Sequence, residues 1–146
     1  MGQFQEPAYH VLLAEDEALT SMMLEDELVA AGYRVTSAPD GNAALAAARA
    51  CPPKVAVLDL NMPGICGVAL IRALRKMTPG LPILIITGDA CMAGEALTLD
   101  DGGAKTRLLE KPFCFTHFVA EVEAMVAGVP LMPLRPRVVR SEVAAL

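Results

Sequence analysis

The sequence predicts an α/β fold: a doubly wound, five-stranded parallel sheet with helices on both faces. Three observations carry this. Residues 55–58 (VAVL) and 82–87 (PILIIT) are unbroken apolar runs, as expected of parallel strands covered on both sides. Strand-like and helix-like segments alternate five times along the chain, the pattern of βα units packed on a parallel sheet. The changes of element coincide with Gly32, Asp40, Pro52-Pro53, Pro63-Gly64, Pro79-Gly80 and Gly88-Asp89, residue types that end helices and strands or open turns.

The elements follow in order. Residues 1–8 read as a loose leader, and residues 11–14 as a short apolar strand followed at once by Glu15-Asp16-Glu17. A helix then runs to about residue 31, with Met23, Leu24, Leu28 and Ala31 as its inward face, interrupted by Glu27. Gly32 stops it, and residues 33–37 alternate as a second strand. Asp40 can cap an Ala-rich helix that reaches about residue 50. The third strand begins after Pro52-Pro53 and ends in Asp59; Asn61, Met62, Pro63 and Gly64 then turn the chain. Residues 68–76 form a helix with Leu70, Ile71 and Leu74 inward, and residues 82–87 form the fourth strand. The next helix, residues 91–100, is the weakest element, with Gly94 inside it and Gly102-Gly103 after it. Residues 106–110 are the fifth strand, ending at Lys111-Pro112, and Phe115, Phe118, Val119, Val122 and Met125 mark an amphipathic last helix. Pro130, Pro133 and Pro136, spaced by three, suit polyproline II. The organisation expected is thus a leader (1–8), one domain (9–127) and a Pro- and Arg-containing tail (128–146).

Composition bounds the function. The chain has 146 residues, is 54% hydrophobic and 20% charged, and has a mean hydropathy of +0.45, enough for one domain with a proper core. A net charge of −5, with three basic residues grouped near the C-terminus at Arg135, Arg137 and Arg140, argues against a nucleic-acid face. Cys51, Cys66, Cys91 and Cys114 lack metal-type spacing and are expected to be buried small hydrophobes in a reducing compartment. Two histidines, His10 and His117, exclude a histidine-rich metal site. The first ten residues lack the regions of a signal peptide, Glu6 stands where myristoylation needs Ser or Thr, and no apolar run reaches the roughly 20 residues of a membrane span. The expectation is a cytoplasmic protein without a membrane partner.

The chemistry gathers at strand ends. Glu15-Asp16 follow the first strand, Asp59 ends the third, Thr87 ends the fourth and Lys111 follows the fifth. Parallel strands place these ends on one edge of the sheet, where ligands of open α/β sheets bind. Carboxylates gathered there repel one another by about 4 kcal/mol for two unit charges at 4 Å and an effective dielectric near 20. A divalent cation would relieve this, and hard oxygen ligands beside a phosphate favour Mg²⁺.

The run DLNMPGICG, with Asp59, then Pro63 four residues on and Gly67 eight on, resembles the phosphoacceptor segment of bacterial response-regulator receiver domains of two-component systems. The resemblance extends over about residues 11–127. It implies the flavodoxin- or CheY-like fold with strand order 2-1-3-4-5, and a phosphoprotein of the stand-alone, single-domain type. It implies that Asp59 accepts a phosphoryl group from a sensor histidine kinase or a histidine phosphotransfer protein. Mg²⁺ would be held by Asp16, by Asp59, by the backbone carbonyl of Asn61 and, through water, by Glu15. Thr87 and Lys111 would bind the phosphoryl oxygens, and the Lys111–Pro112 bond would be cis. Asn61 and Asp89 match the variable positions that tune removal of the phosphoryl group by water. Signalling would pass by partner binding or phosphorelay to an output partner that the residues do not name; a homodimer is compatible with it. Enzymatic activity would be limited to self-phosphorylation and self-dephosphorylation.

One position departs from the family pattern. Receivers usually carry Phe or Tyr three residues before the lysine as a rotating switch; here it is Leu108, with no ring or hydroxyl to exchange. That feature invites a second reading, a receiver-like scaffold independent of phosphorylation. A third is a phosphohydrolase of the haloacid dehalogenase class, but Asn61 stands where such enzymes place a second Asp. A flavin carrier shares the fold, but the acidic first loop, AEDEA, lacks the lining a phosphate cradle requires. Each residue alone has a plainer role: Asp59 a turn cap, Glu15-Asp16 a helix-start acidic pair, Thr87 a strand-end residue, Lys111 a solvated lysine. Their conjunction, in order and at the strand ends, favours the receiver. Met22 and Val29 lie off the first helix's inward face, either as ordinary surface apolars or as a dock for a kinase's helical bundle.

Overall fold

The structure, a computed structural model, describes residues 9–98 and 105–128. The proposed leader, 1–8, and the tail beyond residue 128, with its prolines and arginines, lie outside the described residues. The chain alternates β1 (His10–Ala14), α1 (Ala18–Ala30), β2 (Arg34–Ala38), α2 (Gly41–Ala50), β3 (Val55–Asp59), α3 (Gly67–Met77), β4 (Ile83–Thr87), a 3₁₀ turn (Ala90–Ala93), α4 (Gly94–Leu97), β5 (Thr106–Glu110) and α5 (Phe115–Ala127). All strand pairings are parallel, in the order β2-β1-β3-β4-β5. This is the doubly wound parallel α/β fold expected from the alternation, in the strand order that the resemblance implies.

The period of two along each strand sorts its side chains between two cores. Leu12, Ala14, Ala56, Leu58, Ile83 and Ile85 face one way and pack with Ala44, Ala48, Leu70, Ile71 and Leu74 of α2 and α3. Val11, Leu13, Val55, Val57, Leu84 and Ile86 face the other way and pack with Leu24 and Leu28 of α1 and Phe118, Val122 and Met125 of α5. The three central strands are buried throughout, which is why their sequences are apolar without alternation. β2 and β5 are the edges; of β2 only Ala38 is buried, and of β5 only Leu109. Phe113 stacks on Phe118 with ring centroids 5.7 Å apart, pinning the start of α5.

Several boundaries and faces differ from the sequence reading. Met23, assigned inward, is exposed, so α1 is anchored by Leu24 and Leu28 alone among its fully buried residues. Consecutive positions sit about 100° apart on a helix, and Leu24 occupies the inward direction. Leu19, Met22, Met23 and Val29 together form an exposed apolar strip on α1. The cysteines are not buried either: Cys51 and Cys66 are half-buried, Cys91 and Cys114 exposed, and all are free thiols. The reason is position, since Cys51, Cys66 and Cys114 sit at helix caps and Cys91 in the 3₁₀ turn. Of the helix expected over 91–100, the described residues to 98 form instead a 3₁₀ turn, Ala90–Ala93, followed by α4, Gly94–Leu97, while 99 and 100 lie outside the described residues. The Asp89 carboxylate accepts from the Cys91 N–H at 3.1 Å and tightens the start of that turn, while Gly94 weakens its continuation as a regular helix.

Among residues that sequence patterning did not single out, Arg75 is the most committed. It is buried on α3, its Nε donates to the Leu81 carbonyl at 3.0 Å, and its Nη2 donates to the Lys105 carbonyl at 2.8 Å and to Thr106 Oγ1 at 2.9 Å. It joins the end of α3 to the start of β5.

Candidate functional site

Four strand ends converge on one edge of the sheet. After β1, the Glu15 N–H donates to the Ala38 carbonyl at 3.1 Å, carrying the β1–β2 ladder one residue further. That register turns the Glu15 side chain inward, and it is buried, while Asp16 is exposed. β3 delivers Asp59, also buried. The Glu15, Asp16 and Asp59 carboxylates each offer an oxygen within 4.8 Å of the others. On the far side, the Lys111 N–H donates to the Thr87 carbonyl at 2.7 Å, which extends β5 along β4 and carries the lysine to the same edge.

Lys111 closes the cluster. Its Nζ donates to Glu15 Oε1 at 3.1 Å and to Asp59 Oδ2 at 3.4 Å. The remaining carboxylate oxygens are used locally: Glu15 Oε2 accepts from the Glu17 N–H at 3.1 Å, and Asp59 Oδ1 from the Asn61 N–H at 3.0 Å. Burial raises the Glu15 pKa; the Glu17 N–H and Lys111 oppose this, and the charge of Asp59 adds to it. For Lys111, burial works against the charged form, but the hydrogen bond and charge of Glu15, joined by Asp59, outweigh it and hold the ammonium above the ordinary lysine value. The lysine is therefore charged across the neutral range, and Glu15 is its tighter partner.

Thr87 is fully buried at the end of β4. Its hydroxyl is folded back on the following turn, accepting from the Asp89 N–H at 3.1 Å and donating to the Asp89 carbonyl at 3.3 Å. Asn61 is exposed at the turn after β3. The Lys111–Pro112 peptide bond is cis. Leu108 stands apart from these groups: it is half-buried and packs into the core formed with α2, α3 and Ala93 and Ala96. Of the residues singled out from sequence, the structure thus brings Glu15, Asp16, Asp59 and Lys111 into one cluster, sets Thr87 and Asp89 together at the next strand end, and keeps Leu108 beneath α4.

The donor set suits a hard divalent cation. Three carboxylates at one edge, with no soft ligand among them, are what Mg²⁺ or Ca²⁺ takes. The cluster is also balanced as it stands by a single lysine against three acidic groups, so added positive charge is electrostatically favourable.

Sequence reasoning missed how the loop after β3 is held. Gly41, the first residue of α2, lies so close to the backbone of Ile65 that a Cβ there would overlap the Ile65 carbonyl oxygen and lie 2.7 Å from its carbonyl carbon. A lone glycine at a helix start carries no signal of such contact.

Comparison with known proteins agrees with the geometry. Residues 11–123 match the response regulator receiver domain family. The chain is 33% identical over 116 residues to the transcriptional regulatory protein PrrA of Mycobacterium tuberculosis, covering 80% of this chain and 49% of that protein. It is 31% identical over 117 residues to the DNA-binding transcriptional regulator NtrC of Salmonella typhimurium, covering 80% of this chain and 24% of that one. The chain therefore spans half or less of the length of these relatives. Among solved structures, the chemotaxis protein CheY4 of Vibrio cholerae superposes with a TM-score of 0.70 at 29% identity, covering 82% of this chain and 99% of that one. A response regulator receiver protein from Sinorhizobium medicae gives 0.72 at 27% identity, covering 83% and 96%.

Proposed function

The chain belongs to the response regulator receiver domain family, and from that premise we propose that Asp59 accepts a phosphoryl group from a histidine kinase or a histidine phosphotransfer protein. The observation that carries this is the placement of the Lys111 ammonium against both Glu15 and Asp59 beside three clustered carboxylates. A carboxylate oxygen of Asp59 bonds to phosphorus as the P–N bond to the donor's imidazole breaks, leaving an acyl phosphate. The residues' work is positioning and charge neutralisation rather than covalent assistance. Asp16, Asp59 and the Asn61 carbonyl would hold Mg²⁺, with Glu15 acting through water. The cation would supply positive charge at the transferring phosphoryl oxygens. Lys111 then exchanges a carboxylate partner for a phosphoryl oxygen. The Thr87 hydroxyl leaves its turn with Asp89 to donate to another. Asn61 and Asp89 flank the group and set how readily water reaches it.

The receiver unit is residues 9–127, with a leader (1–8) and a tail (128–146) about it. Its chemistry is self-phosphorylation and self-dephosphorylation, it works in the cytoplasm, and its signal passes by partner binding or phosphorelay. None of the described helices is long and apolar enough to cross a membrane. The exposed strip of Leu19, Met22, Met23 and Val29 on α1 is the surface offered to the helical phosphodonor.

The test is intact-mass spectrometry after incubation with Mg²⁺ and a small acyl-phosphate donor. A single phosphoryl adduct is expected, absent with chelator and absent in Asp59→Asn. No adduct with any small donor or with a phosphorylated histidine kinase would sink the proposal and leave a phosphorylation-independent scaffold.

A further inference from the structure

The geometry points to Gly41 as a positioning residue: its missing side chain lets α2 press directly on the Ile65 backbone and hold the β3–α3 loop at the distance from Asp59 that a small, strictly octahedral cation requires. This rests on the phosphoacceptor reading above and adds a residue outside its ligand set.

α2 is seated by the buried Ala44 and Ala48 and capped by Asp40, whose carboxylate accepts from the Ala43 N–H at 2.8 Å. The β2–α2 corner is tied to the acidic loop, because the Ala38 carbonyl accepts the Glu15 N–H. One corner thus braces the Glu15 side of the cluster through Ala38 and the Asn61 side through Gly41 and Ile65. The loop is the softer partner. Gly64 and Gly67 have φ of 78° and 59°, and Pro63 and Gly64 are exposed. Upstream, Leu60 and Met62 are buried on either side of Asn61. A side chain at position 41 would meet the Ile65 carbonyl, with its carbon and Cγ2 both only 2.7 Å away. Backbone must therefore shift, and the loop gives before the seated helix. The displacement runs through Pro63 and Met62 to the Asn61 carbonyl.

Mg²⁺ takes ligands at about 2.0–2.1 Å in near-ideal octahedral geometry, whereas Ca²⁺ accepts longer and more variable ones. A displaced carbonyl ligand therefore harms Mg²⁺ binding more than Ca²⁺ binding. A merely structural role for Gly41 would weaken both alike, or neither.

The experiment is calorimetric titration of the metal-stripped full chain with MgCl₂ and with CaCl₂, for wild type and Gly41→Ala. Ala46→Gly, at an exposed position of α2, serves as a control that destabilises the same helix without loosening its buried seat or touching the loop. Gly41→Ala is expected to raise the Mg²⁺ Kd by about tenfold or more, the range seen for residues that support metal ligands, and the Ca²⁺ Kd by less than about threefold; Ala46→Gly leaves the ratio unchanged. Should Gly41→Ala not fold, Ile65→Gly keeps the backbone carbonyl but removes the Cγ2 that also abuts Gly41 and frees the loop's backbone at that point; it is expected to shift the Mg²⁺/Ca²⁺ ratio in the same direction. An unchanged ratio in the folded variant overturns the inference, and leaves intact a wild type that still labels at Asp59. A wild type that binds neither cation and takes no phosphoryl group overturns the phosphoacceptor reading itself.

Discussion

Lys111 is the residue on which the cluster's charge balance turns. The sequence places it one position beyond a strand, where most lysines are solvated; the structure draws its Nζ onto Glu15 and Asp59. Strand register alone made that legible, since β5 could only carry it to the edge where β1 and β3 end. Replacing it by methionine keeps the stem and removes the charge. Lys111→Met is expected to slow formation of the Asp59 adduct by roughly a hundredfold, as for loss of one group that stabilises transition-state charge, followed by mass spectrometry over time. The hydrogen-bonded state of Thr87 was not legible. Spacing identifies a hydroxyl at a strand end, but whether it faces a ligand or its own turn depends on the backbone of Gly88 and Asp89, which no pattern of residue types specifies.

At the scale of elements, β1, β3 and β4 were plain in the sequence because burial on both faces leaves unbroken apolar runs, and α3 and α5 because one face is apolar at helical spacing. α4 was the least legible: a four-residue helix after a 3₁₀ turn is set by the cap at Asp89 and by packing of Ala93 and Ala96, not by periodicity. Two contacts that join elements carry predictions. Arg75 ties α3 to β5 through buried carbonyls. Arg75→Ala strands those acceptors, and unfolding in urea is expected to show a loss of about 3 kcal/mol. Arg107 of β5 makes two hydrogen bonds to Glu121 of α5, at 2.6 and 3.1 Å, and His117 lies 3.5 Å from the same carboxylate. The Arg107 hydrogen bond, outweighing burial, lowers the Glu121 pKa below its ordinary 4.5. A lowered carboxylate pKa contributes stability that is present above 4.5 and lost as pH falls through the folded-state value. Since the Arg107 side chain is 49% exposed, solvent screening holds the pair to about 0.5–1 kcal/mol. Glu121→Gln should therefore be less stable than wild type by that amount at neutral pH in urea melts, with the difference closing well below pH 4.5.

For the whole molecule, a cation held at the Glu15, Asp16 and Asp59 cluster would be linked to the fold. A ligand that binds only the folded chain stabilises it by mass action, about 2.7 kcal/mol at a concentration one hundred times its Kd. Mg²⁺ is accordingly expected to raise the thermal midpoint of the wild type, with most of the rise lost in Asp59→Asn; equal rises in both proteins would locate the ion elsewhere. The architecture was the most legible level of all, because five alternations of strand and helix leave few ways to build a parallel sheet. What the sequence concealed were contacts between segments distant along the chain, such as Gly41 against Ile65, which involve backbone and so leave no residue-type signature. The turn that engages the Thr87 hydroxyl has a consequence at this level as well. Two hydrogen bonds worth about 1 kcal/mol each bias the hydroxyl toward Asp89 by roughly thirtyfold. A few per cent of molecules then carry it unbound, and under the role proposed for Asp59 a phosphoryl oxygen captures the hydroxyl only by offering more than the roughly 2 kcal/mol that this one turn supplies.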